Sequence, residues 1–246
     1  MDYKLVLDFG NTTLKALIFR DGRLFEQGIL EAPTSEEILA FSGSKPIKAA
    51  ILGSVVRHSE NLTAELAPFF PLLILGPTTQ IPIGNKYESQ ETLGYDRIAA
   101  AVEAGQLFPD SPVLAIVAGT CITYNIVDRK SNFLGGAISP GLQMRVRAMH
   151  KETEKLPLID LKGKHPFIGN NTETSLRSGV MNGTVAEIEG MVYHYLKLHP
   201  GLQTVIGGGD STILAEALKN GIFARPNLVA EGLYRILEYH VSNHLL

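Results

Sequence analysis

A strand that runs into a small-residue turn and straight back into a second strand occurs twice, as "LVLDFGNTTLK" at residues 5–15 and as "LAIVAGTCITYNIVD" at residues 114–128. In the first half, "YKLVLDF", "LKALIF" and "RLFEQGIL" read as three strands joined by the turns "NTT" and "RDG", a meander rather than a strand–helix–strand unit. A helix "SEEILAF" with Ser35 as its cap follows. Then come a strand "AAILGSVV", a helix "SENLTAELAPFF", a strand "PLLIL", and a polar loop into a helix that starts near "LGYDRIAAAVEAGQLF". The order then restarts. "FLGGAISPG" completes new antiparallel strands, and helices follow at "LQMRVRAMHKET" and "ETSLRSGVMNGTVAEIEGMVYHYLKLH". "LQTVIGGGD" is a buried strand, and "STILAEALKN" and "NLVAEGLYRILEYHVSN" are the last helices. This repeated order predicts an α/β protein of two halves, residues 1–112 and 113–246, parted at "PDSP". No low-complexity segment or long linker separates them.

Composition narrows the class of function. The chain is 45% hydrophobic and 19% charged with a net charge of −3, which suits a real core and argues against a nucleic-acid binder working through a broad basic face. No run approaches the roughly 20 apolar residues of a membrane span, and "MDYKLVLDFG" lacks the layout of a signal peptide. The single cysteine, Cys121, excludes an internal disulfide framework and fits a reducing compartment, so the expected location is cytoplasmic. Cys121 reads as a small buried thiol in mid-strand. The seven histidines, among them His58, His150, His194 and His244, lack metal-ligand spacing and read as solvated or capping side chains.

The turn "DFGNTT" can cradle phosphate: Gly10 lets the backbone approach an anion, and successive N–H groups with the hydroxyls of Thr12 and Thr13 can surround its oxygens. Asp8 belongs in such a place if a divalent cation, held partly through water, stands between it and the phosphates. Lys15 adds a positive charge. The same phrase also reads as an ordinary hairpin with an Asn-Thr turn and a capping aspartate. Gly119 and Thr120 repeat the small-residue turn in the second half, and Gly207, Gly208 and Gly209 end a buried strand where a flat ring could lie on bare backbone before a cap at Asp210 or Ser211. In "LGYDR", Asp96 either complements a helix dipole or accepts a proton from a substrate hydroxyl, with Arg97 fixing an anion.

Taken in order, "LDFGNTTLK", "LGYDR", "AGTCIT", "GGAISPG", "NTETSLRSG" and "IGGG" resemble type III pantothenate kinase, a family of the actin-like ATPase superfamily, over essentially the whole chain. The resemblance implies two ribonuclease-H-like domains with mixed sheets flanked by helices and a nucleotide cleft between them. It implies ATP-dependent phosphorylation of pantothenate to 4′-phosphopantothenate, the first step of coenzyme A biosynthesis. It also implies a homodimer with the pantothenate pocket near the subunit interface. For ATP it points to Asp8, Phe9, Gly10, Asn11, Thr12, Thr13, Leu14 and Lys15, with Thr120 of the second turn, and for magnesium to Asp8. For pantothenate it points to Tyr87, Gly94, Tyr95, Asp96, Arg97 and Thr172, with Asp96 as the general base. The family's second turn usually carries an aspartate for potassium or ammonium; that position is Val117 here, and a second acid position is Asn125. Valine cannot ligate a cation, so the monovalent ion has lost its expected ligand. Two other readings stand beside this one: a kinase of the same superfamily acting on a sugar or small acid, and a nucleotide-binding regulatory protein with reduced catalysis.

Overall fold

The structure, a computed structural model, describes residues 2–55, 61–218 and 222–246. Val56, His58, Ser59, Glu60, Lys219 and Asn220, which end or begin three expected elements or count among the histidines, lie outside the described residues. By contacts the chain falls into two units, Met1–Leu107 with Asn227–Leu246, and Phe108–Pro226.

The first unit is built on β1 (Tyr3–Phe9), β2 (Leu14–Arg20), β3 (Arg23–Leu30), β4 (Ile47–Ser54) and β5 (Leu72–Ile74), in the sheet order β3-β2-β1-β4-β5. β1 to β3 are antiparallel neighbours, whereas β4 and β5 run parallel to β1. β1 is central, which explains why its sequence is a continuous apolar run rather than an alternation: Leu5, Val6 and Leu7 are all fully buried, on opposite faces. One face, with Leu5, Leu7, Phe9, Ile18 and Leu52, packs on Ile38 of α1 (Ser35–Ser42) and on Leu62 and Leu66 of α2 (Leu62–Leu66).

β6 (Gly84–Asn85) and a 3-10 turn, Gln90–Thr92, precede α3 (Tyr95–Leu107). α3 packs on the last helix, which in turn packs on β1 and β4. The helix pair approaches closely. Ala99, Ala100 and Ala101 of α3 are fully buried, and a Cβ at Gly232 of the last helix would fall 1.8 Å from the Ala99 carbonyl oxygen. The cap of α1 is Thr34 rather than Ser35: its Oγ1 accepts from the Glu37 N–H at 3.3 Å. Only Thr34 stands three residues before an acid, the spacing of a capping box.

The second unit repeats the order. β7 (Val113–Ala118), β8 (Cys121–Val127) and β9 (Asn132–Pro140) are antiparallel neighbours, while β10 (Gln203–Gly207) and β11 (Ile222–Ala224) run parallel to β7, in the order β11-β10-β7-β8-β9. Leu114, Ile116, Ile122, Tyr124 and Ile126 pack on Leu142 and Val146 of α4 (Leu142–Lys151) and on Val180, Met181 and Ile188 of α5 (Thr172–Leu198). α6 (Ser211–Ala217) follows β10, and α7 (Leu228–Ser242) is the last helix, grouped with the first unit. Cys121 opens β8 rather than lying in mid-strand, and is partly exposed, because the strand starts only after the Gly119-Thr120 turn. His150, His194 and His244 are exposed, His150 with Nδ1 2.7 Å from the Leu156 carbonyl. No described helix is long and apolar enough to cross a membrane.

Gly232→Ala is expected to lower stability by about 1–3 kcal/mol, the usual cost of overpacking. Gly190→Ala in α5, where nothing lies within 4 Å, is expected to raise it by roughly 0.5–1 kcal/mol. Urea denaturation midpoints of the two variants check both signs.

Candidate active site

In the first unit Asp8 is the next-to-last residue of β1, opposite Lys15 on β2 and Gly53 on β4. The turn beyond it is closed by the Gly10 N–H donating to the Thr13 carbonyl at 3.0 Å, leaving Asn11 and Thr12 exposed and Thr13, Leu14 and Lys15 partly buried, while Phe9 is core. The hairpin and the turn read as a phosphate cradle are the same backbone: a tight reversal with Asn11 and Thr12 outward.

The "LGYDR" phrase starts α3 and meets this turn in space. The buried Tyr95 donates its hydroxyl to Asp8 Oδ1 at 2.7 Å. Its ring occupies the space over Gly53, where a Cβ would lie 2.4 Å from a ring carbon. Asp96 folds back against Gly94, whose hypothetical Cβ would fall 2.6 Å from Asp96 Oδ1. The backbone N–H groups of Arg97 and of Asp96 itself, at the helix start, favour the charged form of that carboxylate. Arg97 is buried, its guanidinium 5.3 Å from the centre of the Tyr87 ring, and its Nη1 donates to the Tyr87 hydroxyl at 3.5 Å. Beside these lies a cleft of about 290 Å³ lined in part by Ser54, Leu75, Asn85, Thr92, Gly94 and Tyr95, a size at the small end of ligand pockets.

Burial pushes the Asp8 carboxyl up from the ordinary carboxylate value. The Tyr95 bond and the Lys15 charge oppose that rise, and the Asp96 charge adds to it. Burial likewise raises Asp96, against its backbone N–H bonds and the Arg97 charge. Two carboxylates some ninety residues apart in sequence thus share one electrostatic corner.

In the second unit three turns gather. The Gly141 N–H donates to the Thr120 carbonyl at 3.1 Å, and the Asp210 N–H donates to the Ala118 carbonyl at 3.1 Å. Gly208 has a φ of 93°, and a Cβ there would lie 2.3 Å from the Ala118 oxygen, so only glycine fits. Asp210 holds the cap position of α6 without a side-chain capping bond, while the Ser211 hydroxyl donates to the Gly208 carbonyl at 2.7 Å.

Val117, 8% exposed, faces Thr123 on β8 and Gly207 on β10. Asn125 is fully buried and its Nδ2 donates to the Ala115 carbonyl at 3.1 Å and to Thr123 Oγ1 at 2.9 Å. Thr172 is exposed in the first turn of α5, behind an Asn171–Thr174 capping box, on the rim of a groove lined by Met149, Leu156 and Leu176.

Sequence reading misses Glu187. From mid-α5 it accepts from Ser139 at 2.6 Å, from the Tyr124 hydroxyl at 3.1 Å and from Arg145 at 2.5 Å, and Arg145 Nε donates to the Pro140 carbonyl at 2.9 Å. These bonds hold the Ser139-Pro140-Gly141 turn that seats Thr120, and they keep the Glu187 carboxyl below its ordinary value despite burial. An isolated glutamate in a long helix carries no sequence signal of such a role.

Twice over, three antiparallel strands followed by two parallel ones, flanked by helices and turning on small residues after the first strand, make the fold of the actin-like ATPase class. The solved structure of a ROK family glucokinase from Streptomyces griseus, in complex with glucose and AMPPNP, matches with a TM-score of 0.53 at 13% identity, over 96% of this chain and 98% of that one. A Campylobacter jejuni protein described as a Baf family transcriptional activator matches with a TM-score of 0.64 at 20% identity, over 97% and 99%. At such identities the likeness shows the fold alone. The sequence itself goes further. The profile of the type III pantothenate kinase family matches residues 4–194. A type III pantothenate kinase from Christiangramia forsetii is 40% identical over 238 residues, 96% of this chain and 98% of its relative. The chain belongs to the type III pantothenate kinase family.

A buried carboxyl with a raised pKa binds its proton more tightly folded than unfolded, so it lowers stability as pH rises through the gap between the two values. Asp8→Asn keeps an acceptor for Tyr95 and removes the charge. The free variant is expected to melt higher than the parent at neutral pH, with the gap closing as pH falls below the ordinary carboxylate range. Thermal unfolding across that range checks it.

Proposed function

We propose a residue-level account of the activity that family membership gives this chain, the ATP-dependent phosphorylation of pantothenate to 4′-phosphopantothenate that begins coenzyme A biosynthesis. The observation that carries it is the corner where Asp8, Tyr95 and Asp96 meet. Asp96 accepts the proton of the pantothenate primary hydroxyl as that oxygen attacks the terminal phosphorus of ATP, whose bond to the bridging oxygen breaks so that ADP leaves. Its raised pKa brings it nearer the working range of a general base. The Gly10–Thr13 turn, with Asn11, Thr12 and Lys15, binds the phosphates through N–H, hydroxyl and ammonium groups. Thr120, held by Gly141, is the nucleotide contact of the second unit. Gly94 and Tyr95 line the acceptor cleft, and Arg97 over Tyr87 supplies positive charge for the pantothenate carboxylate.

Asp8 fits a magnesium ion. Burial and the Asp96 charge disfavour its ionisation, which a cation would offset, and one carboxylate with water and phosphate oxygens suits this metal better than a protein cage. No group of three or more His, Cys, Asp or Glu side chains that could hold a metal occurs among the described residues. When bound, magnesium would draw charge from the phosphate oxygens as the phosphoryl group moves. The side chains here lack the carboxylates the family uses for its monovalent cation: the Val117 side chain has no ligand atom, and Asn125, a neutral amide, uses its Nδ2 on the Ala115 carbonyl and Thr123 Oγ1.

Thr172, exposed and closely following the exposed Phe167 and Ile168 in sequence, supports a homodimer in which it reaches pantothenate near the interface. The free Cys121 thiol supports a cytoplasmic location. The comparisons give the regulatory reading no support.

Asp96→Asn is expected to lower kcat by roughly 10²–10⁴-fold while leaving ATP affinity nearly intact; a coupled assay beside nucleotide titration measures both, and a near-normal rate removes Asp96 from the role of base. A carboxylate next to a triphosphate needs a cation to offset it, and valine removes that need. The parent is therefore expected to show little activation by potassium or ammonium, and Val117→Asp to become dependent on it. Initial rates at constant ionic strength, with potassium exchanged for a bulky organic cation, decide the point.

A further inference from the structure

We propose that Tyr95 is a positioning residue, whose hydroxyl aims the Asp8 carboxylate and ties the nucleotide side of the site to the helix that carries Asp96. The inference rests on the reading of Asp8 and Asp96 given above. Its geometry is specific. Asp8 has Lys15 across one strand edge and Gly53 across the other. Because residue 53 has no side chain, the Tyr95 ring can lie over β4 with Leu233 behind it, and its hydroxyl reaches Asp8 Oδ1 at 2.7 Å. Any side chain at position 53 would occupy the place of the ring, since even a Cβ would fall 2.4 and 2.6 Å from two ring carbons and 3.1 Å from a Leu233 methyl.

The chemistry of the donor matters as much as its place. A lysine or arginine there would neutralise Asp8 and compete with a metal ion, whereas a phenol hydroxyl orients one carboxylate oxygen and leaves the charge and the second oxygen available. Groups that fix a metal-ligating side chain in this way typically contribute 10–100-fold to metal affinity. Tyr95 is also the first residue of α3 and the one before Asp96, so the bond that fixes Asp8 restrains the backbone that presents the base. Carrying this position over from the family puts Tyr95 with the pantothenate contacts; its ring lines the cleft, but its hydroxyl is directed at Asp8.

Tyr95→Phe keeps the ring over Gly53 and removes the hydroxyl. The magnesium concentration for half-maximal rate is expected to rise roughly 10–100-fold. In thermal melts, stabilisation by ATP with magnesium should shrink while that by ATP alone stays as in the parent, a split that loss of packing would not produce. An unchanged magnesium dependence in both assays overturns the proposal. Asp8→Asn is measured alongside: if it alters magnesium use and Tyr95→Phe does not, Tyr95 has no positioning role, and if neither does, the reading of Asp8 fails first. In the double variant the magnesium effect should be far less than additive, and full additivity counts against the link. Should Tyr95→Phe not fold, Gly53→Ala, which displaces the ring but keeps the hydroxyl, is held to the same magnesium criteria.

Discussion

Asp8 is a carboxylate at the end of a central strand, where burial opposes its ionisation and a second carboxylate, Asp96, lies close enough to oppose it further. Much of the first unit answers that strain. Lys15 stands opposite on β2, Gly53 opens space on β4, and Tyr95 fills that space and donates to Asp8. The helix that supplies Tyr95 is itself held by α7, whose Gly232 lies against the Ala99 backbone. A residue near the start of the chain therefore depends on a helix near its end. A charge left this costly in the free protein is the kind of local conflict that functional sites keep, because a bound cation resolves it.

The second unit handles its turn differently. No carboxylate stands at the end of β7, and Val117 extends the apolar strand. The Gly119-Thr120 turn is held by backbone contacts from Gly141 and from the Gly208–Asp210 segment. The charged hub of this unit is the partly buried Glu187, with three donors, Ser139, Tyr124 and Arg145, around it. Satisfying it so fully makes its charge tolerable and turns it into a clamp on the Ser139-Pro140-Gly141 turn. The same strand order thus carries an exposed polar turn flanked by charges in one unit and a turn braced by neighbouring backbone in the other.

The residues themselves determined a good deal. Strand and helix order apart from the two- and three-residue β6 and β11, which are too short to show a pattern, the two meanders and the duplicated α/β plan were legible because a central strand must be apolar on both faces and a helix must repeat its apolar face every three or four residues. The family was legible in six short phrases, "LDFGNTTLK" and "LGYDR" foremost, since such turns need glycine, small hydroxyls and acids at fixed spacing. The valine at position 117, where the resemblance implies an acid, was plain from one letter. Only the tertiary structure decided what these groups touch. That Tyr95 donates to Asp8, that Arg97 lies buried over Tyr87, that Thr34 rather than Ser35 caps α1, and that Glu187 clamps a distant turn are matters of side-chain direction and long-range proximity. The grouping of α7 with the first unit is another. Local pattern records which face of an element is apolar; it holds no information on which residue, far along the chain, that face will meet.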